Sequence, residues 1–126
     1  MEYLWVGLGG FAGANARYIL GRWMISRFGD AFPYGTMLIN ITGSLLIGFV
    51  LALLVGKASL ADPAWRLLLI AGVLGGYTTF SAFAAESVRL IEDGRLAAAI
   101  SYIVGTNVLA ILACIVGLGI GRALVR

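Results

Sequence analysis

The residues of this chain best suited to chemistry lie in one nine-residue segment, Gly75-Gly76-Tyr77-Thr78-Thr79-Phe80-Ser81-Ala82-Phe83. Glycine, threonine and serine are poor helix formers, yet the segment lies inside an apolar stretch where a lipid-embedded helix should be regular. An interrupted helix leaves backbone carbonyls and amides that lipid cannot satisfy, so it is tolerated only where it is buried in protein or lines a cavity. The segment therefore predicts an ion or substrate site.

Further polar side chains inside the apolar stretches are candidates for the same site, because a polar group within a membrane is costly unless it is satisfied. At about 1.5 Å per helical residue, measured from the face with Arg22 and Arg89, Asn40 lies roughly 8 Å deep, Thr106 about 15 Å and Gly75 about 20 Å. This ladder from one membrane face to the middle comprises Arg17, Asn40, Gly75, Phe80, Ser81, Phe83, Glu86, Tyr102 and Thr106.

The residue types of this ladder favour an anion over a cation. Its deep part holds amides, hydroxyls and aromatic rings without a carboxylate, so a cation path lined by Asp or Glu is not indicated. A phenyl ring has a positive edge, and Phe80 and Phe83 share one helical face, so both can offer their edges to a small anion. The alternative is that they are two core phenylalanines at helical spacing.

The elements that must position these residues are membrane-spanning helices. Of the 126 residues, 61% are hydrophobic and 12% charged, which leaves too few polar residues to cover a water-soluble domain. Four apolar runs each reach the roughly 20 residues needed to cross a bilayer. They predict an all-α membrane protein of four transmembrane helices, the third broken near the membrane midplane. The spans are Leu4 to Ile25, Gly35 to Val55, Trp65 to Val88 and Leu96 to Ile120, within one domain of residues 1–126.

Composition also excludes several kinds of site. The chain has no histidine and one cysteine, Cys114, which lies inside the fourth span. An intramolecular disulfide, a cysteine metal site and histidine-based catalysis are therefore excluded, and no enzyme is indicated. The net charge of +3 suits the anionic headgroups of a lipid bilayer and requires no nucleic-acid partner.

Basic residues are balanced across the two predicted membrane faces. The face with both termini has four and the opposite face has four, namely Lys57, Arg66, Arg122 and Arg126 against Arg22, Arg27, Arg89 and Arg95. By the positive-inside rule, an equal count sets no preferred orientation. The balance predicts insertion in both orientations and pairing as an antiparallel homodimer with its two-fold axis in the membrane plane. The alternative is that another signal fixes one orientation.

Three motifs along the chain form a recognisable set: Gly35-Thr36 followed by Asn40 and Gly43, the run from Gly75 to Glu86, and Gly9-Gly10 and Gly13 before Arg17-Tyr18. Together they resemble the motifs of the Fluc (CrcB) family of fluoride channels, and the resemblance extends over essentially the whole chain. The resemblance implies dual-topology, antiparallel dimers with two fluoride pores and a central sodium ion. It also implies passive export of fluoride that confers fluoride resistance. A lone four-span chain suggests a prokaryotic plasma membrane, the bacterial inner membrane.

The resemblance further implies roles for individual residues at the centre of the molecule. Phe80 and Phe83 would be the pore phenylalanines, and Asn40 would donate its side-chain amide to fluoride. The backbone carbonyls of Gly75 and Thr78 from both subunits would hold the sodium ion as a structural cofactor.

Other residues would extend the fluoride pathway or its mouth. Ser81 and Thr106 match positions that carry hydroxyls along the pore, and Tyr102 matches the fourth-span tyrosine. Arg17 matches the first-span arginine, for which we expect a structural or vestibule role, with Glu86 or a lipid phosphate as its partner.

Two positions depart from the family pattern. Ala82 stands where some relatives have threonine or serine, and Ala110 stands where a fourth-span hydroxyl can occur. Part of the polar track would therefore be missing or replaced, and Asn107 is one conceivable substitute.

Two other functions remain to be compared with a channel. A small dual-topology, proton-coupled exporter of drugs or metabolites would share the size, the four spans and the balanced charge. Such a transporter needs a titratable group at mid-membrane, whereas Glu86, the only carboxylate within a span, is near a helix end. A non-transporting assembly subunit is the second alternative. It predicts that Phe80→Ile or Phe83→Ile would leave cellular fluoride tolerance unchanged.

Overall fold

The chain folds into four long helical rods, and the structure, a computed structural model, describes residues 1–57, 60 and 62–125. No strand occurs among these residues, so the prediction of an all-α fold is confirmed. The elements are α1 (Glu2–Phe28), α2 (Tyr34–Gly56), α3 (Pro63–Arg66), a π-helical segment (Leu67–Leu74), α4 (Gly75–Tyr77), α5 (Phe80–Glu92) and α6 (Leu96–Leu124).

The third rod, Pro63–Glu92, changes its backbone conformation along its length. Pro63 begins α3, and the Asp62 side chain caps it by accepting from a backbone amide at 2.8 Å. The π-helical segment that follows was not predicted, because apolar residue patterns do not distinguish π from α geometry in so short a stretch. Between α4 and α5, Thr78 (φ −82°, ψ 157°) and Thr79 (φ −152°, ψ 120°) are extended. We call these two residues the interruption.

Three of the rods, α2, α6 and the composite third rod, are long and apolar enough to cross a membrane. The remaining helix, α1, has 27 residues, which is ample length for a span. It is not among the three because polar residues, Asn15, Arg17 and Arg22, lower its apolar character. The first of the four predicted spans therefore stays a prediction.

Glycines allow the rods to pack backbone against backbone. Gly13 of α1 lies against the π-helical segment, where an added Cβ would overlap the carbonyl of Val73. Gly48 of α2 and Gly117 of α6 bring these two helices together in the same way, because a Cβ at either glycine would overlap a backbone carbonyl of the other helix. This close approach places α2 beside α6, and Gly43 of α2, which lies against Thr78, places α2 beside the interruption as well.

A buried hydrophobic cluster joins α5 to α6 beside the interruption. It consists of Phe83 and Leu90 from α5 with Ala99 and Tyr102 from α6, and Phe32 from the α1–α2 connector packs against it. The cluster fixes the face that α5 turns toward α6.

Some sequence predictions fall on residues that are not described. Arg126, one of the four basic residues counted on the face of the termini, lies outside the described residues, as do residues 58, 59 and 61 of the predicted connector between the second and third spans. The prediction of two insertion orientations stays a prediction.

Candidate functional site

Asn40 on α2 takes over the backbone hydrogen bonding of the interruption. Its Nδ2 donates to the carbonyl oxygen of Thr79 at 3.0 Å, and its Oδ1 accepts from the Thr79 amide at 2.9 Å. A single side chain thus satisfies both backbone groups of a residue that has left the helix, where unpaired groups would be costly. Asn40 is therefore a structural partner of the interruption as well as a candidate ligand.

Backbone carbonyls of this region lose their normal helical donors as a result, and those of Gly75 and Thr78 are among them. In a regular α-helix, the Gly75 carbonyl would accept from the Thr79 amide and the Thr78 carbonyl from the Ala82 amide. The Thr79 amide instead donates to Asn40, and the Ala82 amide donates to Thr79 Oγ1 at 3.2 Å. The carbonyls of Gly75 and Thr78 are the pair for which the resemblance implies cation binding.

Arg17 of α1 approaches one of these carbonyls. Its Nη1 lies 3.5 Å from the oxygen of Thr78, at the outer limit of hydrogen-bonding distance. A contact of this length is weak, so the carbonyl retains most of its capacity to accept or to coordinate.

The two phenylalanines after the interruption have very different exposures. Phe80 is 77% exposed, whereas Phe83 is 8% exposed. Their ring centroids are 5.6 Å apart with tilted planes, and the other neighbour of Phe83 is Tyr102, with centroids 5.2 Å apart. One ring is therefore held within the protein while the other faces outward from the chain.

The structure gathers most of the predicted site along one groove of about 340 Å³, which we call the inner groove. Its walls come from α2, the third rod and α6. The predicted residues that line it are Asn40, Gly75, Thr78, Phe80, Phe83 and Thr106, and Ser44, Asn107 and Ala110 lie beside them. The groove is mainly apolar with a few polar groups, as small-ligand sites usually are.

Thr106 contributes a buried hydroxyl that no atom of the described residues satisfies. The residue is 4% exposed, and its Oγ1 has no hydrogen-bond partner among the described residues. Other polar side chains in the rods bond the carbonyl four residues back, as Thr42 does to Leu38 at 2.7 Å and Ser101 to Ala97 at 2.7 Å. An unsatisfied buried hydroxyl costs about 1–3 kcal/mol, which a ligand in the inner groove would relieve.

Of the remaining predicted residues, all except Tyr102 line a second groove of about 560 Å³, which we call the outer groove. It shares Thr79 with the inner groove, and its lining includes Arg17, Arg22, Thr36, Ser81, Glu86 and Arg89. Three arginines against two carboxylates, Asp30 and Glu86, leave a net positive charge of one, which favours anions.

Glu86 accepts hydrogen bonds from two side chains, and neither of them is Arg17, the partner that the sequence analysis expected. Thr36 Oγ1 donates to its Oε1 at 2.8 Å, and the Tyr102 hydroxyl donates to its Oε2 at 2.6 Å. Arg17 instead contacts the interruption. Tyr102 is itself 0% exposed and stands between the two grooves, with Phe83 on one side and Glu86 on the other.

Two residues at the site were missed as functional candidates. Thr79 caps α5, and its backbone amide donates to Asn40 Oδ1. A threonine directly before a helix is a recognisable N-cap signal in a sequence. Thr36 was noted only as part of a motif, and nothing in its local sequence indicates that it bonds Glu86, fifty residues away.

The atoms available at the site limit how it could bind a cation. In the described part of the chain, no group of three or more Cys, Asp or Glu residues is placed to hold a metal ion. A cation here would therefore depend on backbone carbonyls, which are hard oxygen donors suited to a hard cation.

Comparison with known proteins gives concordant matches over most of the chain. The family model described as CrcB-like protein, Camphor Resistance (CrcB), matches residues 4–118. The proteins named fluoride-specific ion channel FluC of Rhizobium meliloti and of Acidobacterium capsulatum are 48% identical over 122 residues and 46% identical over 125 residues. The aligned regions cover 97% of both chains in the first case and 99% in the second. The protein of that name from Chloroflexus aurantiacus is 47% identical, covering 93% of this chain and 92% of its own.

Proposed function

This chain belongs to the CrcB-like family, and on that premise we propose that it is a fluoride-selective channel that lets fluoride leave the cell down its electrochemical gradient. The chain is a multi-pass membrane protein, and the bacterial relatives described above are named fluoride-specific ion channels. Passive conduction would confer fluoride resistance on a cell with this protein in its plasma membrane. It involves no catalytic step.

The observation that carries the proposal is the set of neutral donors in the inner groove. Fluoride binds water tightly, so a pore must replace its hydration shell with fixed donors and yet bind weakly enough for the ion to leave. The Thr106 hydroxyl is buried, has no hydrogen-bond partner among the described residues, and lines the groove together with Phe83. Asn40 Nδ2 carries two hydrogens and uses one on Thr79, so the other is available to fluoride.

The proposed pathway continues toward the membrane surface through the outer groove. Ser81 and Glu86 line that groove, and Tyr102 joins Glu86 to Phe83. Arg17 contributes positive charge at this end and thereby attracts anions.

A structural sodium ion forms part of the proposal, held by the carbonyls of Gly75 and Thr78. Support comes from the backbone amides that would bond these carbonyls in a regular helix. They donate instead to the side chains of Asn40 and Thr79. When bound, sodium would supply a fixed positive charge that offsets the cost of bringing fluoride into a low-dielectric interior. The interruption would accordingly lie near the membrane midplane, where two such segments can meet.

An antiparallel homodimer completes the proposed channel. Within one chain the inner groove is open, and Phe80 is 77% exposed at its rim. A second copy would cover this face and supply the second pair of carbonyls to the sodium ion. The balanced count of basic residues on the two predicted faces is compatible with such pairing.

The alternative of a proton-coupled exporter is not favoured. Its titratable group would have to be Glu86, whose carboxylate accepts from Thr36 and Tyr102 beside the outer groove. No carboxylate is among the residues that line the inner groove.

Fluoride efflux from reconstituted protein tests the proposal. Liposomes loaded with potassium fluoride should release fluoride on addition of a potassium ionophore, with no proton gradient imposed. Phe83→Ile should slow release by at least about tenfold because it removes the ring edge from the groove. Phe11→Ile is the matched control, since Phe11 is exposed on α1 and borders neither groove. Folded wild-type protein that releases no fluoride would contradict the proposal.

A further inference from the structure

The α1–α2 connector places an aromatic residue, Phe32, in the lining of the outer groove. Phe32 packs against the buried cluster that contains Phe83 and Tyr102. The centroids of the Phe32 and Tyr102 rings are 5.7 Å apart and their planes meet at 84°, an edge-to-face arrangement. Such pairs have a preferred geometry and thereby restrict the orientation of both rings.

Two arginines hold the backbone that leads into Phe32. Arg89 Nη2 of α5 donates to the carbonyl of Asp30 at 2.7 Å, and Arg95 Nη1 at the start of α6 donates to the carbonyl of Ala31. Hydrogen bonds from a charged donor are stronger than neutral ones. A connector that would otherwise be free to move is therefore fixed immediately before the residue that contacts Tyr102.

Tyr102 connects Phe32 to one residue of each groove, Phe83 of the inner groove and Glu86 of the outer groove. It is 0% exposed, its ring contacts Phe32 on one side and Phe83 on the other, and its hydroxyl donates to Glu86 at 2.6 Å. A rotation of the Tyr102 ring would displace the hydroxyl from Glu86 and would also release the ring of Phe83. The contact from Phe32 opposes that rotation.

We infer that Phe32 is a positioning residue of the fluoride pathway, which acts by fixing Tyr102 and, through it, Glu86 and Phe83. The inference rests on the proposed function. Phe32 is itself among the residues that line the outer groove, and its inferred role is that its ring sets the geometry of Tyr102, Glu86 and Phe83. A residue that only filled space would be replaceable by any side chain of similar volume.

Efflux from reconstituted variants tests this role. Phe32→Leu keeps an apolar side chain but removes the ring, and it should slow fluoride release about three- to tenfold. Phe32→Tyr restores a ring and should recover most of the rate. Phe28→Leu is the matched control, because the Phe28 ring contacts Tyr34 and belongs to the same end of the molecule. Equal rates for wild type and Phe32→Leu would overturn the inference.

A second comparison distinguishes positioning from a general loss of packing. In a Tyr102→Phe background the link to Glu86 is already missing, so Phe32→Leu should slow release by a smaller factor than in wild type. The same factor in both backgrounds would show that Phe32 does not act through the Tyr102 hydroxyl, and would overturn the proposed route.

A measurement without fluoride flux separates this inference from the proposed function. With 3-fluorotyrosine at position 102, fluorine NMR of the wild-type protein should give one resonance. Phe32→Leu should shift or split it, while Phe28→Leu should not. Absence of fluoride efflux from wild type would refute the channel alone, whereas an unchanged resonance in Phe32→Leu would refute the positioning role.

Discussion

Asn40 has a structural role in addition to the fluoride-binding role proposed for it. The resemblance implied only a donor to fluoride, but its amide bonds both backbone groups of Thr79. The two duties are compatible because the side chain has two N–H donors and one is used on the backbone. Substitutions of Asn40 will therefore affect folding and conduction together.

Asn40→Ala should destabilise the protein and abolish fluoride release. It removes two hydrogen bonds and leaves the backbone of Thr79 unsatisfied, so the free energy of unfolding should fall by about 2–4 kcal/mol. Thermal unfolding in detergent and liposome efflux measure the two effects. Asn15→Ala is the control, because Asn15 is exposed and bonds the carbonyl of Phe11 in its own helix. Unchanged stability of Asn40→Ala would contradict the bridging role.

Thr106→Val should separate conduction from stability. The hydroxyl has no protein partner, so the nearly isosteric valine should leave the free energy of unfolding unchanged or raise it by about 1 kcal/mol. Fluoride release should nevertheless slow, because the inner groove loses a donor. Thr42→Val is the comparison, since its hydroxyl bonds Leu38 and Tyr77 is in reach at 2.9 Å. Rapid release by Thr106→Val would remove Thr106 from the pathway.

At the scale of elements, the interruption is held in place by its neighbours as well as by its own sequence. Thr79 caps α5, and Asn40 of α2 replaces the lost helical bonds. Gly43, one turn after Asn40, allows the Thr78 side chain to pack directly on α2. The position of the interruption is therefore set by contacts with a second helix.

Gly43→Ala should displace the interruption. Its Cβ would overlap Thr78 Cγ2 and approach Tyr77 Cδ1 at 3.3 Å, so we expect a loss of stability of about 1–3 kcal/mol together with slower fluoride release. Gly119→Ala is the control, because nothing lies within 4 Å of its added Cβ and alanine favours the helix. Thermal unfolding that is identical for wild type and Gly43→Ala would show that this contact can relax freely.

At the scale of the whole molecule, the single chain leaves its proposed pathway incomplete. The inner groove is open, and Gly75 and Thr78 are among the residues that line it. Two copies related by a two-fold axis in the membrane plane would bring the Gly75 and Thr78 carbonyls of both copies together near the membrane midplane. Such an assembly requires that the chain inserts in both orientations.

Cysteine labelling in intact cells tests the two orientations. In a Cys114→Ser background, Asp93→Cys places a thiol in the α5–α6 connector, and a membrane-impermeant maleimide should label about half of the protein because the basic residues are balanced. Lysed cells should show complete labelling. Labelling of all or none in intact cells would show a single orientation.

Local physics explains how much of the fold was predictable. Lipid forces each span to satisfy its own backbone, so apolar runs and helix signals suffice to predict rods such as α2 and α6. The π-helical segment was not predictable in this way, because an apolar residue pattern does not distinguish π from α geometry. The first predicted span stays a prediction, since α1 is not among the three helices that are long and apolar enough to cross a membrane.

The sequence by itself determined the class of the protein, the chemical types at the site and the family to which its motifs are similar. It determined them because residue type, apolar length and short motifs are local properties of the chain. Only the tertiary structure decided that Asn40 bonds Thr79, that Thr36 and Tyr102 converge on Glu86, and that the Thr106 hydroxyl is left without a partner. These pairings join distant residues and depend on how each helix is rotated against the next, which no local pattern specifies.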